Sequence, residues 1–262
     1  MKKIIKIRNL EIGEGIPKIC TPIVNTTMDE ILNMAKKIKE SGADLVEWRA
    51  DYFENIKEWQ EVENTLKALR DILESIPILF TLRTLNEGGN LKISSEEYYK
   101  LNNNIVRNNL ADIIDIELSL GHEIVRKLIA EAKKFNVYTI ISKHDFEKTP
   151  DKKEIIKIMC EMKKLNGDIL KMAVMPKNQR DVLVLLDATE EMARVYADRP
   201  IVTISMSSLG VVSRLTGEVF GSAITFGIVD EESAPGQIDI DELKRFLKVF
   251  HEGTSLHNLC EK

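Results

Sequence analysis

Residues 137–174 read VYTIISKHDFEKTPDKKEIIKIMCEMKKLNGDILKMAV. The segment opens with a β-branched and apolar run, Val137 to His144. It then passes Pro150 and Asp151 into Lys152 to Leu165, whose apolar positions recur at helical spacing, and returns to a second apolar run, Ile169 to Val174. Two strands joined by a helix make a parallel crossover unit, and a chain built of such units has a parallel sheet with helices outside it.

The same alternation extends in both directions. Further strands are predicted near Lys18 to Val24, Leu45 to Arg49, Ile78 to Thr84, Ile113 to Leu118, Ile201 to Ser205 and Ala223 to Phe226, with helical spacing over Met28 to Glu40 and Glu123 to Phe135. That is about eight strands, starting roughly 29 residues apart, close to the ~31 residues per unit of a ~250-residue eightfold barrel. The expected fold is a (β/α)8 TIM barrel. Ile4 to Ile12 reads as an extra strand pair turning near Arg8 to Leu10, which would close the bottom of the barrel. An open doubly wound sheet is the alternative, but no glycine-rich dinucleotide or P-loop motif follows any strand. No Pro/Gly-rich hinge divides the chain, so one domain is expected over residues 1–262, with the hairpin in 1–16 and the barrel proper in about 17–250.

Composition narrows the function. The 262 residues carry 37 Lys and Arg against 42 Asp and Glu, a net charge of −5, which argues against nucleic acid or an anionic membrane as partner. Cys20, Cys160 and Cys260 are far apart and form no metal or disulfide spacing, so neither a metal nor a disulfide framework is expected, and a reducing cytoplasm is. The first residues break their apolar run at Lys6, Arg8 and Asn9, unlike a signal peptide, and no apolar stretch is long enough to span a bilayer.

Barrel strands are covered on both faces, so a charge inside one needs a reason. Period two places Glu47 with Arg49, Asp115 with Glu117, and Ser142 with His144 on common faces. Arg83 ends another strand, and Lys171 interrupts the apolar run ILKMAV. Taken singly, a strand-end Glu, Arg or His is more often a satisfied ion pair or a solvated rim residue. Together they crowd the C-terminal ends of consecutive strands, where barrel enzymes carry their sites.

Lys171 is the most informative. Between Leu170 and Met172 an ammonium cannot easily keep its water, which favours the nucleophilic amine able to form a Schiff base with a ketone. The alternative is a snorkelling lysine whose head leaves the barrel. His144, one strand earlier, could move protons beside an iminium, or be structural. Glu87, in Asn86-Glu87-Gly88-Gly89, reads locally as a solvated loop carboxylate. Arg214 could hold a carboxylate, with Ser233 and Gln237 as orienting groups; a late-loop phosphate site is the competing reading, for which GSAITFG is a poor match.

The chain resembles type I 3-dehydroquinate dehydratase. The resemblance rests on EWRAD (Glu47 to Asp51), TLRT with Glu87-Gly88-Gly89, SKHDF (Ser142 to Phe146), DILKMAV, SRLTGEVFGSAITFG (from Ser213) and ESAPGQ (from Glu232), in family order along nearly the whole chain. It implies that Lys171 forms the Schiff base, that His144 is the proton carrier and that Glu87 orients it. Glu47, Arg49 and Arg83 are then expected around the ring hydroxyls, and Arg214, Ser233 and Gln237 at the carboxylate, with Met206 and Phe226 lining the pocket. Asp115 is added from its strand face. The resemblance implies no cofactor, no metal, a homodimer and 3-dehydroquinate as the small-molecule partner. A class I aldolase and a noncatalytic barrel that binds a polyhydroxylated acid are the alternatives to be separated from it.

Overall fold

The computed structural model describes residues 3–230 and 236–260, with backbone alone for 254–260. It begins with an antiparallel hairpin, β1 (Ile5–Ile7) and β2 (Leu10–Ile12), which turns at Arg8 in a left-handed conformation, φ 53°. Strands and helices then alternate: β3 (Lys18–Ile23), α1 (Met28–Ser41), β4 (Leu45–Arg49), α2 (Trp59–Leu73), β5 (Ile78–Thr81), α3 (Ser95–Arg107), β6 (Ile113–Glu117), α4 (His122–Lys134), β7 (Tyr138–Asp145), α5 (Lys152–Leu165), β8 (Ile169–Val174), α6 (Gln179–Glu191) and β9 (Ile201–Ser205). Two short helices, α7 (Val211–Leu215) and α8 (Gly217–Phe220), precede β10 (Ile224–Ile228); β11 (Ile238–Asp239) and α9 (Ile240–Cys260) follow.

Strands β3 to β9 pair in parallel in chain order, and β10 pairs in parallel with β3, Thr225 lying opposite Ile19. The β9–β10 seam is the thinnest join. There the Ala223 amide donates to the Ile201 carbonyl at 2.8 Å, and the Thr203 amide donates to the Ser222 hydroxyl at 3.1 Å. The fold is the expected TIM barrel with its N-terminal hairpin, and β11 lies outside the ring, beside the end of β10.

Local sequence explains the helix boundaries. Thr27 and Glu30 form a capping box at the start of α1, as Ser94 and Glu97 do for α3, and Asp151 accepts from the Glu154 amide to open α5. Gly42 and Asn166 end α1 and α5 in the left-handed region, where a β-carbon is costly for most other residues.

Period two sorts each strand into two faces. Val46, Trp48, Phe80, Ile114, Ile116, Ile141, Leu170 and Met172 pack outward against the helices. Leu45, Leu79, Ile113, Ile140, Ile169 and Ile224 turn inward and meet Ile5, Ile7 and Ile12 of the hairpin. The hairpin is therefore the floor of the barrel: three isoleucines, each at most 3% exposed, seal its lower end and contribute about 1.5–3 kcal/mol apiece. Above this floor the inward positions become polar, and that change of layer sets the depth of the site.

Candidate active site

The inward positions above the floor are Glu47 and Arg49 from β4, Thr81 from β5, Asp115 and Glu117 from β6, Ser142 and His144 from β7, and Lys171 from β8. Parallel register fixes their heights, because Glu117 pairs with Ser142 and Ser142 with Lys171. Of these, Glu47, Arg49, His144 and Lys171 line a cleft together with Arg83, Glu87, Gln237, Arg214, Met206 and Phe226, while Thr81, Asp115, Glu117 and Ser142 are fully buried. Gly88, Phe146, Ala173 and Ile204 complete its wall.

Lys171 occupies the middle of the barrel and is 4% exposed. Its Nζ lies 3.6 Å from Asp115 Oδ2, 3.7 Å from Glu47 Oε1 and 4.5 Å from the centre of the Phe226 ring. The head therefore stays inside the barrel, unlike a snorkelling lysine. Its surroundings are ionic as well as apolar: the flanking Leu170 and Met172 point to the helices, while the amine meets two carboxylates.

Those carboxylates are held by their other contacts. Glu47 Oε1 accepts from the Thr81 hydroxyl at 2.8 Å. Asp115 Oδ1 accepts from Ser142 Oγ at 2.6 Å and pairs with an Arg83 nitrogen at 2.9 Å. Burial acts to raise the Asp115 carboxyl, but the charges of Arg83 and then Lys171 outweigh it and hold the group near 2. The second Arg83 nitrogen donates to Glu117 Oε1 and Ser142 Oγ, both at 3.0 Å. Burial opposes the Arg83 charge, yet Asp115, Glu117 and Glu87 keep its pKa above the ordinary value. Its fork is thus directed at protein partners. Arg49 likewise forms a bidentate pair with Asp51, at 2.8 and 2.9 Å.

His144 is organised from behind. Glu87 Oε2 accepts from both the His144 amide and Nδ1, each at 3.0 Å. Burial and the Arg83 charge push the imidazole down to about 3, overriding the Glu87 hydrogen bond. Burial acts to raise Glu87 too, but the His144 hydrogen bond, the neighbouring positive charge and the Ser119 hydroxyl bring it to about 2. At neutral pH a carboxylate thus faces a neutral ring. A carboxylate only accepts, so Nδ1 carries the proton and Nε2 keeps a free lone pair. Glu87 is 1% exposed, so the loop reading of its local sequence gives way to a buried anchor.

Of the residues predicted from sequence, the cleft gathers Lys171, His144, Glu87, Glu47, Arg49, Arg83, Arg214, Gln237, Met206 and Phe226. Asp115 lies immediately below, with no exposed surface. Ser233 lies outside the described residues. Asp51, Thr81, Glu117, Ser119 and Lys143 take part in the network without having been singled out as site residues. Glu117 carried a signal, since it shares a strand face with Asp115; Ser119 carried none. Among the described residues there is no cluster of three or more metal-ligating side chains, and no helix is long and apolar enough to cross a membrane.

The fold and site together define a lysine-centred (β/α)8 barrel, with an imidazole one strand from the amine and an ionic shell beneath both. The type I 3-dehydroquinase family model matches residues 19–254. The chain is 48% identical over 252 residues to the 3-dehydroquinate dehydratase of Clostridioides difficile strain 630, spanning 96% of this chain and 99% of that one. It is 45% identical to that of Listeria welshimeri over 96% and 99%. A crystal structure of the Clostridium difficile type I enzyme with covalent modified comenic acid superposes with a TM-score of 0.94 at 48% identity, covering 97% of this chain and all of that one. This chain belongs to the type I 3-dehydroquinase family. A 3-hexulose-6-phosphate synthase, 16% identical with a TM-score of 0.57, shares the fold alone.

Proposed function

We propose that the chain converts 3-dehydroquinate to 3-dehydroshikimate and water, a hydro-lyase step of the shikimate route, through a Schiff base on Lys171. Family membership supports the reaction. The observation that carries the assignment of residues is the placement of the Lys171 amine inside the barrel, with His144 on the adjacent strand and Glu87 behind it.

In this reading neutral Lys171 adds to the C3 carbonyl, and loss of water gives an iminium that acidifies C2. His144 Nε2, the ring nitrogen not engaged by Glu87, takes a C2 proton, and the electron pair moves into the enamine. The enamine then expels the C1 hydroxyl, which leaves as water with the proton from His144. Hydrolysis of the conjugated iminium releases the enone and restores the amine. Glu87 stabilises the transient imidazolium across 3.0 Å. Arg214, with Ser233 and Gln237, holds the substrate carboxylate, while Glu47, Arg49 and Arg83 shape the region of the ring hydroxyls. Met206 and Phe226 supply the apolar wall.

The test is to incubate the protein with 3-dehydroquinate and borohydride, then map peptides. The expected result is a reduced adduct on Lys171, with a conjugated enone product when borohydride is omitted. Adduct without enone would favour an aldolase; neither would leave a binding protein. The same proposal includes a single domain, a homodimer and a cytoplasmic setting. Light scattering of the purified chain at twice the mass of one copy supports the dimer.

A further inference from the structure

The Glu87 carboxylate has two oxygens with separate duties. Oε2 faces His144, accepting from its amide and its Nδ1. Oε1 faces away and accepts from Ser119 Oγ at 2.5 Å and Lys143 Nζ at 3.2 Å. Ser119 lies in the turn between β6 and α4, and Lys143 precedes His144 on β7, so the two donors reach the same oxygen from separate elements. Neither has a place in the proton transfers described above.

We propose that Ser119 and Lys143 are positioning residues that clamp Oε1 of Glu87 and so fix which nitrogen of His144 carries the proton. This rests on the reading of His144 as the proton carrier. Without the two outer donors, a carboxylate turned about its last bond would present either oxygen, or neither, to Nδ1. The free imidazole has two tautomers, and only the Nδ1–H form leaves Nε2 able to accept a proton. Two donors on Oε1 and two on Oε2 match the four lone-pair sites of the carboxylate, leaving one rotational setting.

The other charged groups around the pair do not duplicate the clamp. Arg83 approaches Glu87 Oε2 only to 3.8 Å and spends its fork on Asp115 and Glu117. Lys171 is drawn to Asp115 and Glu47. Asp115 and Glu117 are acceptors and give Glu87 no hydrogen bond. Lys143 remains half-buried at the rim, its side chain 33% exposed, so its removal leaves the barrel core intact.

The test uses Ser119→Ala, Lys143→Met and the double variant, with Ser119→Thr and Lys143→Arg as conservative controls. The first readout needs no substrate: ring 15N shifts of His144 at pH 7. Wild type is expected to show a single Nδ1–H tautomer, and the double variant a mixture of the two. The second is turnover. The double variant is expected to lose about tenfold in kcat with KM unchanged, the cost of a proton acceptor present but misaligned, and the controls to recover most of it. An unchanged tautomer and unchanged kcat in the double variant would overturn the clamp. If wild type itself fails to dehydrate 3-dehydroquinate, the functional reading falls while the tautomer measurement still decides the clamp. A drop in kcat with the tautomer unchanged would count against it.

Discussion

Lys171 Nζ and Asp115 Oδ2 lie 3.6 Å apart in the barrel interior, on strands separated by β7. Among the described residues that Asp115 oxygen has no hydrogen-bond partner, whereas the other oxygen is held by Ser142 and Arg83. Lys171 is thus the cation that faces one half of a fully buried carboxylate. The amine to which the proposed mechanism gives the covalent step is also a buried counter-ion, and the two duties can be separated by mutation.

Lys171→Ala is expected to abolish turnover, by about a thousandfold or more, because the proposed Schiff base forms on this amine. It should retain measurable binding of 3-dehydroquinate by calorimetry. It should also destabilise the protein by about 3–5 kcal/mol, since Asp115 and Glu47 lose their shared cation. Urea unfolding of Lys171→Ala/Asp115→Asn should recover part of that loss. Full turnover in the single variant would remove Lys171 from the mechanism.

Arg83 makes three close contacts, one each with Asp115, Glu117 and Ser142, using a planar fork that an ammonium cannot reproduce. Arg83→Lys is therefore expected to behave as a stability variant first, lowering unfolding free energy by about 2–4 kcal/mol. A variant with unchanged thermal midpoint and only a raised KM would show instead that the fork serves ligand more than scaffold.

Acid stability should carry a signature of His144. Its imidazole sits near 3 in the folded protein against ~6.5 in an unfolded chain, so the unfolded state binds the extra proton between those values and stability falls as pH drops below 6.5. Between pH 6.5 and 4.5 the contribution is about 2–3 kcal/mol. Glu87 and Asp115, both held near 2, add a further loss below about pH 4.5 and 4 respectively, as each is protonated in the unfolded chain first. His144→Asn should flatten the upper part of the stability profile; below it the Asp115 contribution should persist, while that of Glu87 shrinks with the loss of its His144 hydrogen bond. Identical profiles for the variant and the parent above pH 4.5 would contradict the lowered imidazole.

How far the sequence could be read follows from what each signal encodes. A parallel strand covered on both faces should be apolar, so Glu47, Arg49, Asp115 and Lys171 stood out as exceptions, and period two gave their faces correctly. The sequence did not encode what lay opposite. That Lys171 meets Asp115 and Glu47 depends on closing the barrel, which brings β4, β6 and β8 to one axis. Glu87 sits in a turn whose composition is that of any solvated loop, and its burial arises only when β6 and β7 bring Ser119 and His144 over it. Arg83 was read as the end of a strand that stops at Thr81, because Leu82 continues the apolar alternation beyond the last ladder bond. The short helices α7 and α8 cover too few residues for periodicity to register.

Arg214 is 2% exposed and reaches the cleft from α7, in the connection between β9 and β10. If it holds the substrate carboxylate, Arg214→Ala should weaken binding of 3-dehydroquinate by about 2–5 kcal/mol, the cost of leaving a buried charge unmatched. The borohydride adduct on Lys171 should still form at high substrate. Unchanged affinity would place the carboxylate elsewhere in the cleft.

Gly88 links the wall of the cleft to the turn that carries Glu87. Its φ of +77° is poorly tolerated by other residues, and a β-carbon there would lie 2.3 Å from the Phe146 ring. Phe146 is 40% exposed and stacks on His144 with ring centres 6.5 Å apart, so the ring can give way outward at small cost. Gly88→Ala is therefore expected to lose about 1 kcal/mol of stability from the backbone term, and more in activity than in stability. Moving Phe146 uncovers the imidazole, and the strained turn shifts the Glu87 carboxylate that orients it. A several-fold fall in kcat against a thermal midpoint lowered by only a few degrees would fit this coupling. Phe146→Ala removes the clash but not the backbone strain, so it should restore little of the stability of Gly88→Ala and none of the rate.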